Sequence, residues 1–300
     1  MELEIGCNVS HDGASENVYS KYQEVVLCYT RSMVTLDILS NIAREAGTYM
    51  RGSTEFSSTD KSNAKDFVTV ADIKSQAILR DRLLELDPTA VVLSEEDSEE
   101  ERSAMYAQDF TGYVLDPIDG TYNFKRGMKE SAISIGYIEH GAPVRGVIYD
   151  PYKDEMYTTE LGKGSFVNSA KISVSSHDSL EGASIATSNS YDDEAMARNL
   201  RRHLSIFEST SHMPWTNCPG SGVLIMSNIA CGRFDAYHHN GLKPWDNAAA
   251  FLLVTEAGGE VCRLDGTPAT FTDNAVIIGN PTMVGLLKDV FRTIDTRLLS

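Results

Sequence analysis

Leu115-Asp116-Pro117-Ile118-Asp119-Gly120-Thr121-Tyr122-Asn123-Phe124 is the stretch on which the reading of the chain turns. Tyr113-Val114-Leu115 is a short β-prone run, Pro117 cannot continue a ladder, and Gly120 permits a tight turn. Two carboxylates three positions apart are therefore delivered to the end of a strand, where sites usually sit. With the carbonyl of Ile118 between them, Asp116 and Asp119 form an all-oxygen pocket. Its like charges repel unless a cation fills it, and carboxylate, carbonyl and water oxygens in octahedral array suit Mg2+. Gly120 and Thr121 would then offer backbone N–H groups to a phosphate. Taken alone, the ten residues are equally readable as a proline-glycine turn with solvated aspartates.

Around this stretch lie 300 residues with 42% apolar content, enough for a large core in one large or two small domains. Lys and Arg number 26 against 43 Asp and Glu, a net charge of −17. Such a chain is a poor general binder of nucleic acid or anionic membrane, although metal ions can still supply positive charge locally. Cys7, Cys28, Cys218, Cys231 and Cys262 are scattered and lack a CxxC pair, which points to reduced thiols in a cytoplasmic protein. Neither a secretory signal nor an apolar run of the ~18 residues a membrane helix needs is visible.

Residues 1 to about 16 read as a loose polar extension. From Val18 to Met50, apolar residues at spacings of three and four predict one long helix or two abutting ones, ending near Gly47. Arg51 to Lys65 reads as a mobile loop, followed by an extended piece from Asp66 and a helix to about Leu86, with Ile73, Ala77, Leu83 and Leu84 facing inward. A second β-prone run, Ala90 to Leu93, places Glu95 at its carboxyl end, while Glu99, Glu100 and Glu101 read as a solvated loop. From Ala132 to about Val174 the pattern alternates, with turn signals at Gly141, Asp150-Pro151 and Gly162, and predicts an antiparallel meander. Beyond it, strands at Ala183 to Thr187, Arg233 to His238 and Val276 to Ile278 interleave with helices at Asp192 to Ile206, Gly222 to Ala230 and Asp246 to Ala257, and a last helix follows Asn280-Pro281.

The second constellation is Lys243-Pro244-Trp245-Asp246-Asn247-Ala248-Ala249-Ala250, where Asp246 is expected to open a helix, its carboxylate held by N–H groups and the dipole. The string at Asp116 to Phe124 and that at Trp245 to Ala250 together resemble the two signatures of the inositol monophosphatase family of Mg2+-dependent, typically lithium-sensitive phosphatases, with Ala250 in place of a final glycine. Asp66 to Thr69 with Asp72, Glu95-Glu96 and Gly220-Ser221 extend the resemblance in order over roughly residues 35 to 290.

The resemblance implies an α/β layered αβαβα sandwich of the inositol monophosphatase and fructose-1,6-bisphosphatase type. It implies one catalytic unit over 1–300, with an N-terminal α+β subdomain at 17–180 and a C-terminal α/β subdomain at 181–300. Carried over, it makes Glu95, Asp116, the Ile118 carbonyl, Asp119 and Asp246 ligands for two or three Mg2+ ions, with Asp72, Glu95 and Thr121 acting on the attacking water. Gly120, Thr121, His239 and Asp246 fall on the substrate, and Lys61 is a lid contact or a surface lysine. Five acidic side chains in one cavity would carry about −5, which agrees with a need for divalent cations.

Three departures bear on specificity. Ser94 stands where a glycine often precedes the glutamates, and the usual arginine before Gly220-Ser221 is absent. His239 occupies a place where inositol-phosphate-selective members resemble one another in carrying a glutamate that binds sugar hydroxyls. An imidazole cannot accept two hydroxyl hydrogen bonds as a carboxylate does. His238, out of phase with it, is expected to face solvent. The function implied is hydrolysis of a small polyol or sugar phosphate, nominally myo-inositol monophosphate, by a homodimer. Histidinol phosphate, fructose 1,6-bisphosphate and 3′-phosphoadenosine phosphate are the alternatives within the same chemistry, and a metal- and phosphate-binding regulator with vestigial catalysis is the alternative outside it.

Overall fold

Apolar residues spaced three and four apart before Met50 form helix α1 (Leu36–Gly52), which buries Leu39, Ile42, Ala43, Ala46 and Met50 and is capped by the Thr35 hydroxyl. The computed structural model describes residues 34–53, 57–63, 66–212 and 214–298. The expected helix before residue 34 and the polar extension lie outside the described residues. Helix α1 runs on to Gly52, and the loop expected after it is a hairpin instead, β1 (Ser58–Asn63) pairing antiparallel with β2 (Asp66–Thr69). Polar residues such as the Ser58-Thr59 pair can line an exposed two-stranded ribbon as well as a loop, which is why composition misled here.

Thr69 opens α2 (Val70–Leu86) through a reciprocal capping box with Asp72. The inward face of α2 is Ala71, Asp72, Ser75, Leu79 and Leu83; of the expected set Leu83 is buried, whereas Ile73 is half exposed, Ala77 exposed and Leu84 only partly covered. Polar groups turn inward because this face meets the site: the Ser75 hydroxyl donates to the Pro117 carbonyl at 2.8 Å.

The larger sheet has seven strands in the order β3-β4-β5-β6-β7-β8-β9. Strand β3 (Val92–Ser94) runs parallel to β4 (Gly112–Asp119), and β5 (Ala132–Glu139), β6 (Ala142–Asp150), β7 (Glu155–Glu160), β8 (Gly164–Val167) and β9 (Ala170–Lys171) continue it as the expected antiparallel meander. Between β3 and β4, the acidic run forms a short exposed helix, α3 (Glu99–Arg102), capped by Ser98. Helix α4 (Thr121–Lys125) follows β4 directly.

The smaller sheet has five strands in the order β11-β10-β12-β14-β13. Strand β10 (Ser184–Ala186) lies parallel to β11 (Trp215–Asn217) and β12 (Ala236–Asn240), and β14 (Ala275–Gly279) is antiparallel to β12 and β13 (Glu260–Arg263). Edge strands β11 and β13 escape the sequence reading because they are short and lack alternation.

Helices α1 and α2 cover one face of the large sheet, α6 (Gly222–Ala230) and α7 (Pro244–Glu256) lie between the sheets, and α5 (Asp193–Glu208) and α8 (Pro281–Leu298) cover the far face of the small sheet. This is the layered αβαβα sandwich. The middle layer is apolar nearly all round, as a helix buried on every side must be. Helix α7 lies close on the large sheet because Gly136 and Gly146 face it: a Cβ on Gly136 would stand 2.5 Å from the Ala248 Cβ.

His238 corrects a further expectation, since it is fully buried on β12 against His203 and Phe291. Cys218, Cys231 and Cys262 are free thiols, and Cys7 and Cys28 lie outside the described residues. Among the described residues, no helix is long and apolar enough to cross a membrane.

Candidate active site

In a regular strand, residues three apart face opposite sides. Strand β4 breaks that rule where the site begins: Asp116 pairs with Ser134 and Asp119 with Ala132, three steps on β4 against two on β5. The extra residue is a bulge, and it includes Pro117, whose missing N–H makes a regular ladder impossible there. Both carboxylates are thereby turned toward one side. The Ile118 N–H donates to Asp116 at 3.1 Å, which fixes the first of them.

Asp119 is held from another layer. The Ser221 hydroxyl, N-cap of α6, donates to its carboxylate in a short bond, and the Val223 N–H adds a second at 3.1 Å. Gly220 and Gly120 stand at this junction with φ of +86° and +81°, and a Cβ on Gly120 would lie 2.9 Å from the Glu130 carbonyl. Asp246 comes from α7. It is the third residue of that helix rather than its cap, because Pro244 starts the helix earlier, and it accepts from the Lys243 N–H at 2.8 Å.

Glu95 follows β3. Asp97 steadies the turn that aims it, accepting from the Ser94 N–H at 2.9 Å and from Arg80 at 2.6 Å. These groups converge on a cleft of about 390 Å3 whose lining includes Glu95, Asp116, Asp119, Gly120, Thr121, His239 and Asp246.

One oxygen each from Asp116, Asp119 and Asp246 lie within 4.8 Å of one another. Burial, then the charges of Glu95, Asp119, Asp246 and Asp72, pushes the Asp116 carboxyl well above its ordinary 3.8. Burial pushes Asp119 up to about 6, opposed by Ser221 and the α6 amides. Asp246 rises for the same first reason, with the Asp119 charge next. Close, buried, oxygen-only anionic donors are what a hard divalent cation needs, so the donor set fits Mg2+.

Asp72 does not line the cleft but stands behind it, fully buried, with one oxygen held by the Thr69 N–H at 2.8 Å. The Thr121 hydroxyl faces two acceptors, Asp72 at 3.3 Å and the Ile118 carbonyl at 3.0 Å, with one proton to give. The Ile118 carbonyl is thus bonded within the chain. Lys61 falls in β1, and its side chain lies outside the described residues.

His239 reaches the cleft from β12. Asn199 donates its amide N–H groups to the Asn240 carbonyl at 3.3 Å and to His239 Nδ1 at 3.1 Å. The carbonyl fixes which way the amide points, so Nδ1 is an acceptor and the ring proton sits on Nε2. Burial pushes the imidazole down to about 4, which keeps it neutral near pH 7.

Sequence reasoning missed Arg102, Ser188, Asn189, Ser190 and Tyr191 and gave Lys243, quoted beside Asp246, no role; all of them line the cleft. The polar run after the Ala183 strand carried a usable signal, because carboxyl ends of strands collect sites as β4 and β3 do. Arg102 carried none, as an arginine in an acidic run reads as solvated charge.

A model described as the inositol monophosphatase family matches residues 33–294. The inositol-1-monophosphatase of Bacillus subtilis (strain 168) is 34% identical over 251 residues, covering 82% of this chain and 92% of that one. A protein of Pseudomonas aeruginosa named Nus factor SuhB is 33% identical over 249 residues, covering 82% and 91%. The solved structure of an IMPase of Thermotoga maritima superposes with a TM-score of 0.76 at 26% identity, over 87% of this chain and 98% of that one.

Proposed function

The chain belongs to the inositol monophosphatase family, and from that premise we propose that it hydrolyses the phosphate monoester of a small polyol or sugar, nominally myo-inositol monophosphate, with Mg2+ as cofactor. The observation that carries the reading is the convergence of three buried or partly buried carboxylates from β4 and α7 within 4.8 Å, in a cleft that also holds Glu95, Gly120 and Thr121. Glu95, Asp116, Asp119, Asp246 and the Ile118 carbonyl would hold two or three ions. Bound there, Mg2+ supplies a lowered water pKa and positive charge opposite the phosphoryl oxygens and the leaving alkoxide.

The chain's own part is positional. With the Ile118 carbonyl engaged by a ligand, the single Thr121 proton turns to Asp72, and the Thr121 oxygen is left to accept from the attacking water. Asp72 holds that arrangement through its capping box, so a buried carboxylate orients the hydroxyl without facing the cleft. Gly120 and Thr121 present the backbone to the phosphate. The family reading also carries a homodimer and inhibition by lithium.

The test is phosphate release from a panel of phosphomonoesters, with and without Mg2+, for the wild type and Asp119→Asn. Release that needs Mg2+ and is lost in the variant supports the reading; Mg2+-independent release refutes it. A second reading, a metal- and phosphate-binding regulator, is favoured by the relative named Nus factor SuhB at nearly equal identity. It gains if Mg2+ binds and nothing in the panel is hydrolysed.

A further inference from the structure

Asp116 and Asp119 stand on one side of the cleft, Asp119 tied through Ser221 to the start of α6, while Asp246 stands on α7. The remaining wall runs along His239, Gly241, Lys243 and Trp245, from the end of β12 into α7. Several hydrogen-bond donors stand on it beside Asp246. Arg102 reaches over from α3, its guanidinium 5.1 Å from the centre of the Trp245 ring and one N–H donated to the Glu95 carbonyl at 2.7 Å. Neither Arg102 nor Lys243 forms an ion pair among the described residues, although the chain carries a net charge of −17.

A guanidinium held by a carbonyl on one edge and an indole on one face keeps its other N–H groups directed and loses little freedom on binding an anion. Two further donors stand on the same wall. His239 presents Nε2–H, its other nitrogen being taken by Asn199. Tyr237 is fully buried, lines the cleft, and its hydroxyl has no hydrogen-bond partner among the described residues, the nearby Ser188 falling short of a bonding geometry. A buried hydroxyl without a partner costs free energy unless something in the cleft meets it.

We propose that Arg102, with Lys243 beside it, is the specificity-determining cation of a second anion subsite, and that the preferred substrate is a phosphate monoester whose alcohol half carries another anionic group, a carboxylate or a second phosphate. This rests on the phosphatase reading for the word substrate, and on the wall's own chemistry for the subsite. A neutral polyol would offer the Arg102 guanidinium and the Lys243 ammonium no anionic group of its own to pair with. An anionic alcohol half takes up both charges and the two neutral donors.

The experiment separates binding from turnover. Titration calorimetry of the full chain with Mg2+ uses 3-phosphonopropionate, which has a second anionic group, and propylphosphonate, which lacks it; neither can be hydrolysed. The wild type should bind the carboxylated probe roughly ten- to hundredfold more tightly, the worth of a charge-assisted bond. Arg102→Gln should lose that preference while binding propylphosphonate within twofold of wild type, and Arg102→Lys should keep part of it. Equal weakening of both probes would place Arg102 on the scissile phosphate and overturn the proposal, as would a wild type without preference. Kinetics on 3-phosphoglycerate and glycerol 2-phosphate then read the function. A preference in binding without turnover leaves the subsite standing and removes the phosphatase; turnover of both esters at rates indifferent to Arg102→Gln does the reverse.

Discussion

Asp119→Asn should make the metal-free protein more stable and the Mg2+-loaded protein less stable. In the folded chain the Asp119 carboxyl titrates at about 6 rather than 3.8, which corresponds to about 3 kcal/mol held against the ionised form above pH 6. The folded value lies above the unfolded one. Its stabilising contribution is therefore complete below pH 3.8 and lost as pH rises through about 6. An asparagine carries no charge to desolvate, but it weakens the bonds from Ser221 and the Val223 N–H, each worth about 1 kcal/mol. The net gain at pH 8 is about 1–2 kcal/mol, or roughly 2–6 °C in Tm for a chain of this size.

At pH 5 the wild type has recovered about half of its penalty, so the gap between the two proteins should shrink by about 1.4 kcal/mol. Saturating Mg2+ inverts the order. A ligand at a hundredfold its Kd stabilises the wild type by about 2.7 kcal/mol, and the variant forgoes most of that. Thermal melts in chelator and in Mg2+, at pH 5 and pH 8, give all four values. A variant that melts below wild type in chelator at pH 8 refutes the reasoning, because Asp119 would then be held by its hydrogen bonds and not strained by burial.

Thr121→Val removes the hydroxyl that faces Asp72 and the Ile118 carbonyl. It should lower kcat roughly a hundredfold or more with KM and Mg2+ affinity within about threefold; an unchanged kcat dismisses Thr121 from the chemistry. Gly136→Ala places a Cβ 2.5 Å from that of Ala248 and should cost about 1–3 kcal/mol in chemical denaturation. Because α7 carries Asp246, Mg2+ affinity should fall with it, and a variant of wild-type stability would mean that the layers yield freely. His239 titrates at about 4 when folded against an ordinary 6.5, so its contribution is present above pH 6.5 and lost as pH falls toward 4, about 3 kcal/mol in all. His239→Gln should therefore lose less stability than wild type between pH 7 and pH 4, and parallel pH profiles would show that His239 protonates without cost.

The elements legible in the sequence were those whose cause is local. The meander from Ala132 announces itself by alternation, α6 by the apolar residues Val223 to Met226 with Ile229 and Ala230, closed at Gly232, and the site by the Pro117 and Gly120 that break β4. What failed depended on distant partners. Nothing near Ile73 says that the inward face of α2 will be Asp72 and Ser75, since that face is chosen by the Pro117 carbonyl and Thr121 some forty residues later. His238 seemed free to face solvent because strand alternation puts it opposite His239, and only α5 and α8 on the far side of the small sheet bury it. Arg102 gained meaning only through Trp245, which contacts it from another layer.

The carboxylates of the site are the clearest case of that dependence. Asp116 and Asp119 belong to the large sheet, Asp119 is capped by a helix of the middle layer, and Asp246 sits on the other helix of that layer. Ionised, these groups repel one another across layers that apolar packing draws together, and a cation held by all three would cross-link those layers. The glycines under α7 set how closely it approaches β5 and β6 at Ala248 and Ala249, so the spacing that fills the core is also the spacing that sets how far Asp246 stands from the carboxylates of β4. Packing and charge therefore cannot be varied independently here. A larger side chain beneath α7 and a lost carboxylate above it act on the same separation, which is why a residue remote from the cleft, such as Gly136, belongs to the physics of the site.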